Sequence, residues 1–587
     1  MDLFDVLSLV CGLALFLFGM NLMSEALEKA AGSKMKNILA SMTSNPVKGF
    51  LLGLGVTAVI QSSSATTVMV VGFVNSSIMT LRQAIGVIMG ANVGTTVTSW
   101  LLTLTQIDGE NVIVQLFKPD SFVPVLAAMG IILYMFQKSA KKKDIGLVLL
   151  GFAVLMSGMD TMSAAVSGLK DVPQFAELFV MFTNPILGVL VGAGVTAIIQ
   201  SSSASVGILQ ALSTTGSITI GACVPIIMGQ NIGTCVTAMI SSVGTSKNAR
   251  RTAIVHLCFN VVSTVALLTV YTIVTSIFDI ALIKETASAF SISITHTAFN
   301  VLAVCLMMPC SRLLEKLACT IVRDKDGEKS KEETMEVLDE RLMTNPSVAI
   351  ERTRSVTAVM AREAVSSVKG AIGLLTSPYD EEKVLALRES ENVVDKYEDN
   401  IGSYLVKLSG LNMSEEDNAE CNKLLHLISD FERISDHSMN IIGSAAEMNE
   451  KKLEFSDEAK KEMNTLTAAV CEILDITLEA FVNNDLDKAV TVEPLEQVVD
   501  DLKEQLRTNH IKRLRRNECT IEMGFVQTDL LTNLERVSDH CSNIAACILE
   551  MAHDNMDMHG YLRSIKEGKV EEYNRYYQYY LMKYELK

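Results

Sequence analysis

The apolar positions of this chain follow two regimes that change near Arg312. Before it, apolar runs recur near 3–23, 83–104, 121–137, 145–168, 219–243, 253–277 and 287–309. Each approaches the roughly 20 helical residues that cross a bilayer. Two further apolar stretches, 46–79 and 184–217, are cut in the middle by a polar run, Gln61-Ser62-Ser63-Ser64 and Gln200-Ser201-Ser202-Ser203. Their halves are about 15 residues long, short for a span and suited to a re-entrant hairpin. From about Asn345 the pattern is helical throughout, with very few Pro or Gly.

Charge divides the chain at the same place. Up to Arg312 there are 16 Lys+Arg against 13 Asp+Glu, and 34 against 54 in the remainder. With 49% apolar residues and a mean hydropathy of +0.31 over 587 residues, the first part suits lipid and the second water. The acidic balance argues against nucleic acid as a partner. Met1–Met23 lacks the basic start and cleavage site of a signal peptide and reads as a retained span. The twelve cysteines show no CxxC or metal-ligand spacing, and many lie in apolar runs as small buried hydrophobes. An acidic soluble part that contains cysteines without bridge spacing fits a reducing cytosol.

Loop charges orient the spans. With an outer N-terminus, seven spans and two hairpins, the inner side carries Lys29, Lys34, Lys36, Lys48, Arg82, Lys138, Lys141, Lys142, Lys143, Lys247, Arg250, Arg251 and Arg312. The outer side carries only Lys118, Lys170 and Lys284. This positive-inside bias places the acidic C-terminal part in the cytosol and the chain in the cytoplasmic membrane.

Residues 45–99 align without gaps on 184–238, with 24 of 55 positions identical. In this layout the copies enter from opposite sides, so they are inverted, the arrangement that lets a carrier alternate access around a midplane site. The polar residues they bring into the bilayer are neutral: Gln61 to Ser64, Thr66, Thr67, Asn92, Thr95 and Thr96, and Gln200 to Ser203, Ser205, Asn231 and Thr234. Gly90, Gly94, Gly229 and Gly233 flank the asparagines and favour a break in each helix. A broken helix offers N–H groups to an oxyanion and carbonyls to Na+. Gly49, Gly53 and the glycines at 188 and 192 read as packing positions. His256, Asn260, His296 and Asn300, in two HxxFN segments, read as interhelical hydrogen-bond partners.

The duplicated QSSSA, the GANVGTT and GQNIGTC segments and the RTAIVHLCFN stretch resemble the type II sodium–phosphate cotransporter family over about 1–312. The resemblance implies Na+-driven movement of inorganic phosphate. No Walker A loop and no Ser/His/Asp constellation in the chain signals covalent chemistry. Substrate and Na+ are implied at Gln61, Ser62, Ser63, Ser64, Asn92, Thr95, Gln200, Ser201, Ser202, Ser203, Asn231 and Thr234. Cys235 stands where the first copy has Thr96, which leaves the number of Na+ sites open.

The soluble part holds a second repeat. Asp430 to Asn440 matches the segment through Leu534 and Asn543 at an offset of 103, and Glu391–Asp395 matches Glu496–Asp500 at 105. Glu391, Asp395, Glu432 and Asp436, and Glu496, Asp500, Glu535 and Asp539, fall four apart on helical faces, where like charges repel unless a cation lies between them. Two such helices facing each other would suit Mg2+, Mn2+ or iron; a solvated face paired with Arg433 and Arg536 is the alternative. ERISDH and ERVSDH resemble the PhoU family over about 346–555, which implies two three-helix bundles, metal binding and a regulatory role.

The expectation is an all-α chain: a polytopic membrane protein of two inverted repeats with re-entrant hairpins, plus a cytosolic pair of three-helix bundles. Residues 1–312 form the transport part, with repeats near 1–137 and 145–309, followed by a linker over 313–345, the PhoU-like part over 346–555 and a tail over 556–587. Phosphate, sodium and the lipid bilayer are the expected partners, with a homodimer or a signalling partner through the cytosolic part. Net phosphate export, and sensing without transport, are the competing functions.

Overall fold

The computed structural model describes residues 3–40, 46–76, 78–104, 119–167, 184–323, 338–550 and 571–586. Lys118, Lys170, the run 324–337 and the tail over 556–570 lie outside them. The described residues form 20 α-helices in two compact units, Met1–Ala349 and Ile350–Lys587.

The first unit begins with α1 (Leu3–Ala40), α2 (Pro46–Ile60), α3 (Ser63–Asn75), α4 (Leu81–Thr103) and α5 (Pro119–Phe136). It continues with α6 (Ala140–Ser167), α7 (Pro185–Ile199), α8 (Ser202–Ser213), α9 (Ile220–Ser241) and α10 (Lys247–Ile277). The short α11 (Ala281–Lys284), then α12 (Ala289–Met307) and α13 (Ser311–Ile321), follow. Six of these are long and apolar enough to cross a membrane: α1, α4, α6, α9, α10 and α12. The seventh expected span, α5, has 18 residues and contains Pro124. At 1.5 Å per residue it covers about 27 Å, somewhat less than a typical hydrocarbon core.

Two hairpins, α2–α3 and α7–α8, have arms of 12 to 15 residues, or about 18–22 Å, so their turns fall inside a bilayer. Each first arm lies along the following long helix without space for a side chain. A Cβ on Gly53 would come 2.0 Å from the Val87 carbonyl oxygen, and one on Gly192 would come 2.1 Å from that of Ile226. A Cβ on Gly90 would meet the Phe50 oxygen at 2.0 Å, and one on Gly229 the Val189 oxygen at 2.1 Å. In both copies the touching residues stay about the same distance apart in sequence along the seam, so the two helices run parallel.

That seam corrects one expectation. The asparagine segments are not helix breaks: α4 and α9 run unbroken through Asn92 and Asn231. Their glycines instead let two backbones touch, the close-packing use of small residues in membrane helices. Each chain break falls in the QSSS run.

The inverted relation is built into the pairing of α1 with α6. Gly12 abuts the Met162 N–H and Gly151 that of Met23; Gly19 abuts the Leu155 N–H and Gly158 that of Phe16. Every one of these residues has its counterpart 139 positions away, so each contact occurs twice with the partners exchanged. A self-complementary contact of this kind is what a two-fold axis produces. Because the numbers of the paired residues rise on one helix as they fall on the other, the equivalent helices are antiparallel. The two halves are therefore inverted.

The stretch expected as a linker is partly structured. Leu314 and Ala318 of α13 are buried, and the Arg251 guanidinium donates to the Val322 carbonyl just beyond its end at 2.9 and 3.1 Å. A 3-10 turn, Glu340–Thr344, seats Leu342 against Gly72 of α3. Beside it Asn75 Nδ2 donates to Asp339 at 2.7 Å and Arg341 donates to the carbonyls of Ser241 and Val243.

The second unit contains α14 (Pro346–Thr376), α15 (Glu381–Ser409), α16 (Glu415–Lys451), α17 (Asp457–Asn483), α18 (Leu486–Arg515) and α19 (Ile521–Glu550). These make two three-helix bundles in sequence, joined through α16 and α19. At that seam His437 Nδ1 donates to Asn533 Oδ1, and His540 Nδ1 to Asp430 Oδ1, both at 2.9 Å. Residues 533 and 540 are the counterparts of 430 and 437 at the offset of 103, so this seam also has two-fold character. From the tyrosine-rich tail, α20 (Glu571–Lys583) packs on α18, with the Tyr577 hydroxyl donating to Asp501 at 2.6 Å.

Candidate functional site

The hairpin tips have one construction used twice. Gln61 and Gln200 end their helices in the left-handed region, at φ 60° and 59°, a conformation that costs a side-chain-bearing residue about 1–2 kcal/mol. Ser62 and Ser201 then turn extended, at φ −140° and −139°, and start the next helix. Their hydroxyls accept from the N–H groups of Ala65 and Ala204, each at 3.2 Å. The N–H groups of Ser63, Ser64, Ser202 and Ser203 are the opening donors of α3 and α8, which have no acceptor within their own helix. Ser63, Ser202 and Ser203 are buried. The tips meet, since the Ser64 hydroxyl donates to the Gln200 carbonyl at 3.4 Å. Two helix N-termini lined with hydroxyls thus converge, and their dipoles favour an oxyanion.

The two copies are not in the same state. In the first, Thr98 donates to Gln61 Oε1 at 2.8 Å and Thr57 to Thr66 Oγ1 at 3.0 Å, and Gln61 is buried. In the second, the counterparts Thr237 and Thr196 have buried hydroxyl oxygens with no partner among the described residues, and Gln200 is exposed.

Asn92, Thr95, Asn231 and Thr234 are buried on α4 and α9. Asn92 Nδ2 donates to Asn260 Oδ1 at 2.8 Å, and Asn231 Nδ2 to Asn300 Oδ1 at 2.9 Å. Asn260 and Asn300 each donate to the carbonyl four residues back, on His256 and His296. Thr95 and Thr234 likewise bond back to Ala91 and Gln230, each at 3.0 Å. The asparagines of the HxxFN segments are thus interhelical partners as expected, whereas the imidazoles are not. Both rings are 1% exposed, and none of their nitrogens has a hydrogen bond among the described residues.

Sequence reasoning missed one polar cluster. Gln210 on α8 donates to the Ser99 carbonyl at 3.2 Å and to Ser293 Oγ at 3.0 Å, and Ser99 and Ser293 share a bond of 2.7 Å. It ties the second hairpin to α4 and α12. A lone glutamine inside an apolar helix was the available signal.

In the second unit, carboxylate oxygens of Glu391, Asp395 and Asp436 come within 4.8 Å of one another. Burial and this crowding raise the pKa values of Glu391 and Asp395. Glu432 is pushed up to about 7 by burial and by Asp436, against the lowering influence of Arg433, whose Nε lies 3.8 Å away. A divalent cation would remove that repulsion, and the hard oxygen donors suit Mg2+ or Mn2+.

The other repeat differs. Lys503 Nζ lies 2.8 Å from Glu535 Oε1, so this acidic set already contains a cation. Position 398, the counterpart of Lys503, is a glutamate. Burial and Glu535 still raise the pKa of Asp539, and Glu496 is buried. In the group of Glu496, Asp500, Glu535 and Asp539, the Lys503 ammonium thus already meets one of the four carboxylates.

Residues 15–164 and 172–307 match the model of the Na+/Pi-cotransporter family, and 357–445 and 463–548 match that of the PhoU domain. The chain is 23% identical to "Putative inorganic phosphate export protein YjbB" of Salmonella typhimurium, covering 93% of this chain and 97% of the relative. It is 41% identical over 96 residues to the human "Sodium-dependent phosphate transport protein 2B", covering 16% of this chain and 14% of that one. A "Phosphate-specific transport system accessory protein PhoU homolog 1" of Thermotoga maritima is 27% identical over 145 residues, covering 25% of this chain and 61% of the relative. The matched models together take in both hairpins, both asparagine segments and both acidic repeats, and on that ground the chain belongs to the Na+/Pi-cotransporter family and carries a C-terminal pair of PhoU domains.

Proposed function

We propose that this chain carries inorganic phosphate across the cytoplasmic membrane together with Na+, and that its PhoU domains regulate the movement. The observation that carries this reading is the meeting of the tips at Ser64 and Gln200, with the starts of α3 and α8 turned into one place. Phosphate is held by the opening N–H groups and by the hydroxyls of Ser62, Ser63, Ser64, Ser201, Ser202 and Ser203. Neither QSSS tip contains Lys or Arg, so cotransported Na+ offsets the anion's charge, taking oxygen from Gln61, Gln200 and the Asn92–Thr95 and Asn231–Thr234 turns. The N-terminus lies outside and the PhoU domains in the cytosol, as the loop charges indicate. Glu391, Asp395, Glu432 and Asp436 hold a divalent metal or iron, which makes that bundle a sensor surface for a partner or a second copy.

Phosphate flux into proteoliposomes, with Na+ replaced by K+ or choline, tests the reading. Flux that needs Na+ supports it, and equal flux in all three sinks the coupling. Outward net movement is a second reading, favoured by the full-length relatives named for phosphate export. Cellular phosphate rising on deletion of the gene would select it. Absence of flux in every condition would leave a membrane-anchored sensor.

A further inference from the structure

The 3-10 turn Glu340–Thr344 grips the end of α3 that lies away from its QSSS tip. Leu342 is fully buried there, and a Cβ on Gly72 would come 2.9 Å from its Cδ2, so the glycine makes the seat. Asp339 starts the turn and is 3% exposed. Its Oδ1 accepts from the Arg341 N–H at 2.9 Å and its Oδ2 from Asn75 Nδ2 at 2.7 Å. Asn75 Oδ1 in turn accepts from the Ser246 N–H at 2.8 Å, where α10 begins. Arg341 donates from Nε to the Ser241 carbonyl and from Nη2 to that of Val243 at 2.9 Å, at the end of α9, where carbonyls lack intrahelical partners. One short segment thus ties α3 to α9 and α10. The second hairpin ends differently. At the counterpart positions stand Ala211 and Thr214, and the Thr214 hydroxyl turns back to the Ala211 carbonyl at 2.6 Å.

We propose that Asp339–Thr344 is a strap through which the PhoU part restrains the first hairpin. Seated, it holds α3 against α9 and α10; drawn off its seat, it frees the hairpin to move. The turn leads directly into α14, which starts at Pro346 and is the first helix of the PhoU part. Asn345 joins the two, its Oδ1 accepting from the Val348 N–H at 3.2 Å, so a displacement of α14 pulls on Leu342. The seat favours two states over a gradual lift. Withdrawing Leu342 leaves a hollow beside Gly72, and lifting Asp339 strips a buried carboxylate of the Asn75 donor. The strap's effect on flux rests on the phosphate movement proposed above; its grip on α3 does not.

A reversible lock tests this in the full-length protein. A Cβ on Gly72 would lie 3.5 Å from the Arg341 Cβ, a spacing a disulfide can bridge, so the Gly72→Cys/Arg341→Cys variant can be closed by oxidation and released by dithiothreitol. Amide exchange over Gln61–Asn75 should be slow in the oxidised variant. In the reduced one, which lacks the Arg341 contacts, it should run several-fold faster than in the unaltered protein. Phosphate flux in proteoliposomes should nearly vanish on oxidation and exceed the unaltered rate on reduction. Gly72→Cys alone and Arg341→Cys alone should show no such switch, which controls for the twelve native cysteines. Asp339→Ala/Leu342→Ala unseats the strap without a new thiol and should match the reduced pair under either redox condition. Exchange over Ala204–Thr214 should stay constant throughout. Equal exchange over Gln61–Asn75 in the unaltered, oxidised and unseated proteins overturns the strap, whether or not phosphate moves. Faster exchange beside unchanged flux overturns its control of transport. Absence of flux in every protein, with exchange responding as described, supports the strap's grip and counts against the transport reading instead.

Discussion

Thr98 gives its hydroxyl proton to Gln61 at 2.8 Å, while Thr237, the same position in the other repeat, points a buried hydroxyl oxygen at no partner. Two inverted copies that differ in the hydrogen bonds at equivalent tips supply the kind of asymmetry that alternating access would use. Thr98→Val should therefore loosen the first hairpin by about 1 kcal/mol, the worth of one ordinary hydrogen bond. Amide exchange at Gln61–Ala65 should speed up several-fold, and Thr237→Val should leave the second tip unchanged. Equal responses at the two tips would remove the asymmetry.

The serines at the tips divide into two tasks. Ser62 and Ser201 cap α3 and α8, so their alanine variants should lose about 1 kcal/mol of local stability. Ser63→Ala and Ser202→Ala leave the caps intact and should cut phosphate flux by about tenfold or more, with expression unaltered. Normal flux in both of these variants would move the phosphate site elsewhere.

The hairpins were legible because a polar run inside an apolar stretch has few explanations in a bilayer, and its duplication removed most of them. The asparagine segments misled. Glycine next to asparagine reads equally well as a chain break or as a place where two backbones touch, and only the facing helix decides. No pattern in the chain announces that Val87 and Ile226 lie directly opposite Gly53 and Gly192. Lys503 was equally hidden, because a lysine on a charged helix is ordinary until its ammonium is found against Glu535.

That close approach gives a clean contrast. A methyl group on Gly53 or Gly192 would strike a backbone carbonyl, which cannot rotate away, whereas Gly55 and Gly194 have nothing within 4 Å of an added Cβ. Gly53→Ala and Gly192→Ala should each cost on the order of 1–3 kcal/mol as the helices separate. Gly55→Ala and Gly194→Ala should be neutral or stabilising by up to about 1 kcal/mol, through helix propensity. Melting temperatures in one detergent check this, and four equal values would contradict the parallel seam.

The acidic cluster of the first bundle should show in the pH dependence. Glu432 has its pKa raised from 4.5 to about 7, so in that window the folded state binds more protons than the unfolded chain. Without metal its contribution to stability is present below pH 4.5 and is lost as pH rises through about 7. A divalent cation needs the ionised carboxylates, so Mn2+ affinity should rise over the same window and level off above it. Glu432→Gln should flatten both curves. A metal-free protein whose melting temperature ignores pH between those limits would dismiss the cluster as solvated surface.

Lys503 offers the sharpest test of how the two bundles differ. Its ammonium lies where a metal ion would otherwise relieve Glu535 and its neighbours, and its counterpart in the first bundle is Glu398. Lys503→Glu removes the internal cation and adds a carboxylate, making the second set resemble the first. With chelator present, the variant should unfold more readily than the parent, because like charges now crowd Glu496, Asp500, Glu535 and Asp539 without relief. With Mn2+ present it should regain that stability and bind more metal per chain, as measured by elemental analysis of the full-length protein. Lys503→Met, which removes the charge without adding one, should fall between the two. If the bound metal stays the same in all three proteins, Lys503 is an ordinary ion-pair partner and does not decide which bundle takes the ion.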